Sequence, residues 1–208
     1  VSDVSEVIAQ AWAQMSGWEV AAVILAIAYL LLAVRQNSLC WYCAFASTAI
    51  YTALFWDVQL LMESALNVYY MAMAIYGWWQ WRHGGQQDSP LPVRRWGIKQ
   101  HSLTFAAIAT ITLVSGTLLS RYTEAAWPYV DSFTTWASVI TTFMVARKIL
   151  ENWLYWMVIN STSIFLFIDR GLYLTALLLV SYLIISIFGL INWQKDYRQQ
   201  HRQQSAYG

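Results

Sequence analysis

The stretch Glu151-Asn152-Trp153-Leu154-Tyr155-Trp156-Met157-Val158-Ile159-Asn160 is followed by no charged residue until Asp169. About 20 predominantly apolar residues are what an α-helix needs to cross the hydrocarbon core of a bilayer. Trp153, Trp156 and Asn160 are spaced i, i+3, i+7, so a helix stacks them along one face. Two flat rings and a carboxamide aligned inside an apolar helix can grip a planar polar ligand away from water.

The composition around this stretch is wrong for a soluble domain. The chain is 59% hydrophobic and 11% charged, with mean hydropathy +0.43. Soluble domains carry about a quarter charged residues. The 13 Trp and 13 Tyr suit interfacial aromatic belts and also a stacking site. Short strands of alternating polarity, the mark of a membrane β-barrel, are absent. The class is therefore an all-α integral membrane protein.

In chain order, residues 1–16 read as an amphipathic helix on the membrane surface, with Ile8, Ala11, Trp12 and Met15 opposing Glu6, Gln10 and Gln14. The acidic start predicts no removable signal peptide. Seven spans follow, at about 17–36, 38–56, 58–81, 101–120, 130–147, 150–168 and 172–193. The long connection is 83–100, marked by Gly84, Gly85, Pro90 and Pro92. Ten of the 12 Lys and Arg residues fall on one side, leaving Arg121 and Arg170 on the other. The positive-inside rule then places the N-terminus outside and the C-terminus in the cytoplasm of a bacterial inner (plasma) membrane.

Sliding the chain by 112 residues superposes Arg35 on Arg147, Trp41 on Trp153 and Phe55 on Phe167. It also matches Asp57 with Asp169, Leu60 with Leu172, Tyr70 with Tyr182, Gly77 with Gly189 and Trp81 with Trp193. Coincident Arg, Trp, Asp and Gly matches at one offset mark an internal repeat. The expected architecture is seven transmembrane helices as two parallel three-helix repeats joined by an inverter helix (3+1+3). The units are 17–82 and 121–195, with the inverter at 101–120 and a polar cytoplasmic tail at 196–208.

Polar residues inside spans are costly and generally face a cavity. The third span carries Gln59, Glu63 and Asn67, and Tyr70 continues their face. Glu63 either serves a site or snorkels to the headgroups. The fifth span carries Thr134, Thr135, Ser138, Thr141 and Thr142, a stripe read chiefly as close helix packing. Trp153 is either a site residue or a belt tryptophan, and Asn160 a site residue or interhelical glue. Cys40 and Cys43 have C-x-x-C spacing, yet no second pair and no histidine cluster completes a metal site, and no cofactor is expected. Phosphate-loop, zinc-hydrolase and nucleophile-elbow motifs are absent, so no catalytic set is visible.

Three segments resemble the signatures of PnuC-type vitamin transporters: Ile75-Tyr-Gly-Trp-Trp-Gln-Trp81, Ala146-Arg-Lys-Ile-Leu-Glu-Asn-Trp-Leu-Tyr-Trp156 and Gly171-Leu-Tyr-Leu-Thr-Ala176. The resemblance spans about residues 17–195. It implies a homotrimer that carries a small cationic vitamin by facilitated diffusion, trapped inside by an intracellular vitamin kinase. It also implies that Trp153, Trp156, Asn160, Asn67, Tyr70 and Glu63 line the substrate path. Nucleic acid is no partner. Glu63 stands where nicotinamide riboside carriers have a neutral residue, and a carboxylate pairs well with thiamine, so thiamine is placed ahead of nicotinamide riboside. A remote alternative is a membrane thiol oxidoreductase using Cys40 and Cys43.

Overall fold

The computed structural model describes residues 4–57, 61–123 and 127–206; Gln59, Leu60 and the expected start of the third span at 58 lie outside them. Among the described residues there are eight α-helices: α1 (Val4–Gln14), α2 (Gly17–Val34), α3 (Cys40–Asp57), α4 (Leu61–His83), α5 (Ile98–Tyr122), α6 (Pro128–Ala146), α7 (Asn152–Asp169) and α8 (Tyr173–Ala206). Ser16 starts α2 with a capping box, its hydroxyl accepting from Glu19 N while the Glu19 carboxylate accepts from Ser16 N. Pro128 opens α6 at a position where its missing N–H costs nothing. The protein is an all-α membrane protein. Gly17–Val34, Ile98–Tyr122 and Tyr173–Arg202 are each long and apolar enough to cross a bilayer. The remaining long helices, α3, α4, α6 and α7, are 18 to 23 residues long but more polar, and each turns some of its polar groups inward.

Helix contacts close a ring. α2 packs on α3, α3 on α4, α4 on α6, α6 on α7, α7 on α8, and α8 back on α2, while α5 packs on α6 and α1 on α8. The residues matched in sequence at an offset of 112 meet the same surroundings in both halves of this ring. Trp81 Nε1 donates to Val145 O at 3.1 Å, and Trp193 Nε1 donates to Ala33 O at 3.0 Å. Trp41 packs on Gly77 and Trp153 on Gly189, where an added Cβ would sit 2.6 Å from the Trp153 ring. The four indoles form one row, with centroids 5.3 Å apart for Trp41–Trp81, 5.9 Å for Trp81–Trp193 and 5.4 Å for Trp153–Trp193.

The corners repeat as well. Gln36 and Lys148 are both left-handed, at φ 53° and φ 51°. Each ends its helix with paired carbonyl bonds: Gln36 N to Ala33 O with Asn37 N to Leu32 O, and Lys148 N to Val145 O with Ile149 N to Met144 O. Glycine is the usual residue in this position, and a side chain there costs about 1–2 kcal/mol.

Two segments depart from the sequence reading. The tail expected at 196–208 continues α8 to Ala206, because its Arg and Gln residues are good helix formers. The connection after α4 is a strap rather than a solvent loop. Leu91 and Val93 are buried, Arg94 N donates to Lys148 O at 2.9 Å, and Leu150 N donates to Arg94 O at 2.8 Å. Glu151 fastens it, accepting from Arg95 Nε at 2.7 Å and Trp96 N at 3.2 Å.

Candidate functional site

The ring encloses a cavity of about 290 Å³. All six ring helices line it: Ala26, Tyr29 and Leu30 from α2; Trp41, Ala44, Ser47 and Thr48 from α3; Tyr70 from α4; Ser138 and Thr142 from α6; Trp156, Ile159, Asn160 and Ser163 from α7; Leu179, Tyr182 and Ser186 from α8. Among the described residues none of this lining carries a formal charge. The walls are five aromatic side chains and a set of hydroxyls around one carboxamide.

Most of the hydroxyls are already engaged. Thr48 back-bonds to Ala44 O at 2.8 Å, Thr142 to Ser138 O at 2.8 Å and Ser186 to Tyr182 O at 2.8 Å. Ser47 donates across to Ala22 O at 2.8 Å, and Tyr70 shares a side-chain hydrogen bond with Ser138. Asn160 differs: it is 4% exposed and lines the cavity, and among the described residues its carboxamide has no hydrogen-bond partner. Its amide therefore stays free to donate to and accept from a ligand in the cavity.

Of the sequence-derived candidates, Tyr70, Trp156 and Asn160 come together in this cavity. The other three do not border it. Trp153 is 1% exposed between Gly189 and Trp193, with its indole N–H buried and unpaired among the described residues, so it is neither a wall of the cavity nor a belt residue. Asn67 is buried and donates to the backbone carbonyl of Glu63 at 2.9 Å. Glu63 is exposed in the first described turn of α4 and forms no part of the cavity wall.

Sequence reasoning missed Tyr29, Thr48 and Tyr182, and read Ser138 and Thr142 as packing; they both back-bond or pair and face the cavity. The usable signal was the repeat. Tyr182 is the match of Tyr70, Thr48 of Asn160 and Ala44 of Trp156, and both members of each pair line the cavity.

The sequence profile of the family described as "Nicotinamide mononucleotide transporter" matches residues 16–195. The chain belongs to this family. As a nicotinamide mononucleotide transporter family member it is a membrane transporter and not an enzyme, which leaves the thiol oxidoreductase alternative without support; Cys40 and Cys43 are free thiols. The chain is 24% identical over 180 residues to the nicotinamide riboside transporter PnuC of Escherichia coli, covering 74% of this chain and 75% of that one. It is 24% identical over 194 residues to the riboflavin/roseoflavin transporter RibM of Streptomyces davaonensis, covering 92% and 88%. Its fold resembles the crystal structure of the vitamin B3 transporter PnuC, with TM-score 0.71 and 21% identity over 94% of this chain and 90% of that one.

Proposed function

We propose that the chain carries out uncoupled uptake of nicotinamide riboside, bound in the cavity between two parallel three-helix units, α2–α4 and α6–α8, with α5 as the inverter. The observation that carries this reading is the uncharged, aromatic-walled cavity lined by an Asn160 carboxamide with no protein partner among the described residues. A pyridinium cation is attracted to the faces of Trp and Tyr rings without needing a carboxylate. Its amide and ribose hydroxyls match Asn160, Thr48 and Ser163.

Thiamine moves behind nicotinamide riboside. Thiamine would call for a carboxylate facing the ligand, and Glu63 does not line the cavity. The family description and the named transport activity of the Escherichia coli relative also favour the riboside.

Trp156, Asn160 and Tyr70 are the proposed substrate contacts, with Trp153 and Asn67 holding the helices that present them. The lysine and arginine bias favours an outside N-terminus and a cytoplasmic C-terminus in the bacterial inner membrane. A homotrimer and a cytoplasmic kinase that traps the vitamin by phosphorylation complete the proposal, on the strength of the resemblance. Titration calorimetry of the purified protein with nicotinamide riboside, riboflavin and thiamine tests the substrate. Heat of binding from thiamine or riboflavin alone would overturn it. Proteoliposomes that concentrated the riboside under a proton or sodium gradient would overturn uncoupled transport.

A further inference from the structure

The corners that end α2 and α6 have one backbone shape and two different charge states. At the first corner Gln36 Nε2 donates to Asp196 Oδ2 at 2.5 Å. At the second corner Lys148 takes the place of Gln36, and the residue in the place of Asp196 is Gly84. The repeat thus puts a cation at the second corner and no carboxylate at the matched position; the carboxylate whose field reaches Lys148 is Asp196, already held by Gln36.

Lys148 is 6% exposed, and its ammonium lies over the Trp81 ring, 4.7 Å from the centroid. Among the described residues it has neither a hydrogen bond nor an ion pair. Burial pushes its pKa down to about 8, while the Asp196 carboxylate pulls it back up in part. An unpaired buried charge is expensive, so a fold that keeps one holds a place for its counter-charge.

Lys148 opens on a surface cavity of about 560 Å³ whose other polar walls are Gln36, Asn37, Ser38, Arg82 and His83. Among the described residues its lining holds an ammonium, a guanidinium, an imidazole and neutral donors, and no carboxylate. Arg82 is stacked over Trp78, 5.4 Å from the ring centroid, which fixes its planar fork beside the opening. This cavity shares no wall residue with the one enclosed by the ring.

We infer that the Lys148 cavity is an anion site that takes a phosphate group, with Lys148 as its central charge and Arg82 as the second. Its charge-assisted donors suit phosphate oxygens. The group arrives either on a soluble phosphate compound or as the headgroup of an anionic lipid.

The test uses the full-length protein in phosphatidylcholine nanodiscs, dialysed to equilibrium against radiolabelled inorganic phosphate. Saturable binding is expected, weakened at least tenfold in Lys148→Gln and several-fold in Arg82→Gln. Glutamine already occupies the same left-handed corner at position 36, so Lys148→Gln keeps the backbone; should it still fail to fold, Arg82→Gln alone decides. In nanodiscs containing phosphatidylglycerol, native mass spectrometry separates the two sources. Phosphatidylglycerol retained by the wild type and not by the variants, with phosphate displaced, assigns the site to lipid; undisturbed phosphate binding assigns it to a soluble compound. Absence of both ligands from the wild type, or binding that neither substitution weakens, would overturn the proposal. Vitamin calorimetry on the same preparation reports the transport reading separately.

Discussion

At the end of the bundle where the indoles line up, the two repeat-related units are copies; one to two helical turns further along the same helices they are not. Trp41 and Trp153, Gly77 and Gly189, Trp81 and Trp193 are identical pairs with near-identical contacts. Ala44 against Trp156, Thr48 against Asn160 and Ser47 against Ile159 are unlike pairs that all face one cavity. Positions that hold the helices together meet the same neighbours twice and keep the same residue. Positions that face the cavity, where we propose an asymmetric ligand binds, need not match, and there the residues diverge. Tyr70 and Tyr182 are identical and both in the cavity wall, and of the paired tryptophans Trp41 reaches the wall while Trp153 does not.

The strongest way to break the comparison is at the glycines. Gly189→Val drives a side chain into the Trp153 ring and is expected to cost about 3 kcal/mol, read as loss of monodisperse protein in detergent. Gly77→Val should match it. A tolerated Gly77→Val beside a ruinous Gly189→Val would show that the two frames do not carry equal loads.

At the cavity level the halves should respond unequally. Trp156→Ala is expected to lose about 2 kcal/mol of riboside affinity, roughly 30-fold by calorimetry, with the melting temperature changed far less. Ala44→Ser, at the matched position, should change affinity by less than about 0.5 kcal/mol. Equal losses on both sides would mean the ligand sits symmetrically.

Lys148 gives a smaller effect, with a sign set by its lowered pKa. Its folded pKa of about 8 lies below the ordinary lysine value, so between pH 8 and about 10.4 the unfolded chain binds more protons and stability rises with pH. Below pH 8 the penalty of the buried ammonium is fully present. Lys148→Gln should therefore stabilise the protein by about 1–2 kcal/mol at pH 7 in phosphate-free buffer, a gain that fades toward pH 10 in thermal melts. A gain that grew with pH would contradict the buried-charge account. Smallest of all, Glu63→Gln is expected to shift riboside affinity by less than about 0.5 kcal/mol, because its side chain is outside the cavity. A tenfold loss there would restore the carboxylate to the site.

Much of the fold was legible in advance because it rests on local and periodic signals. Apolar run lengths placed the helices from α2 through α7 within a few residues of their ends, and the offset of 112 announced the paired frame. The strap at 84–97 was not legible: Leu91 and Val93 look like an apolar pair in a proline-rich loop until Arg94 is found bonded to Lys148 and Leu150. For the site, helical spacing picked a face of α7 but could not say how far along it the cavity begins. Trp153 and Trp156 are one turn apart, and only the neighbour at Gly189 separates a packed ring from an exposed one.

By itself the sequence determined that this chain is a helical membrane protein built on a repeat, since hydropathy and self-similarity are properties of the chain read in order. The tertiary structure alone decided which polar residues share a space. Wall membership depends on six helices meeting in a ring, and on small side chains such as Gly77 and Gly189 letting two tryptophans disappear into the frame. The same closure put Gln36 on Asp196 and left the Lys148 ammonium in a cavity lined by no carboxylate among the described residues, a charge asymmetry that exists only once the corners are brought together.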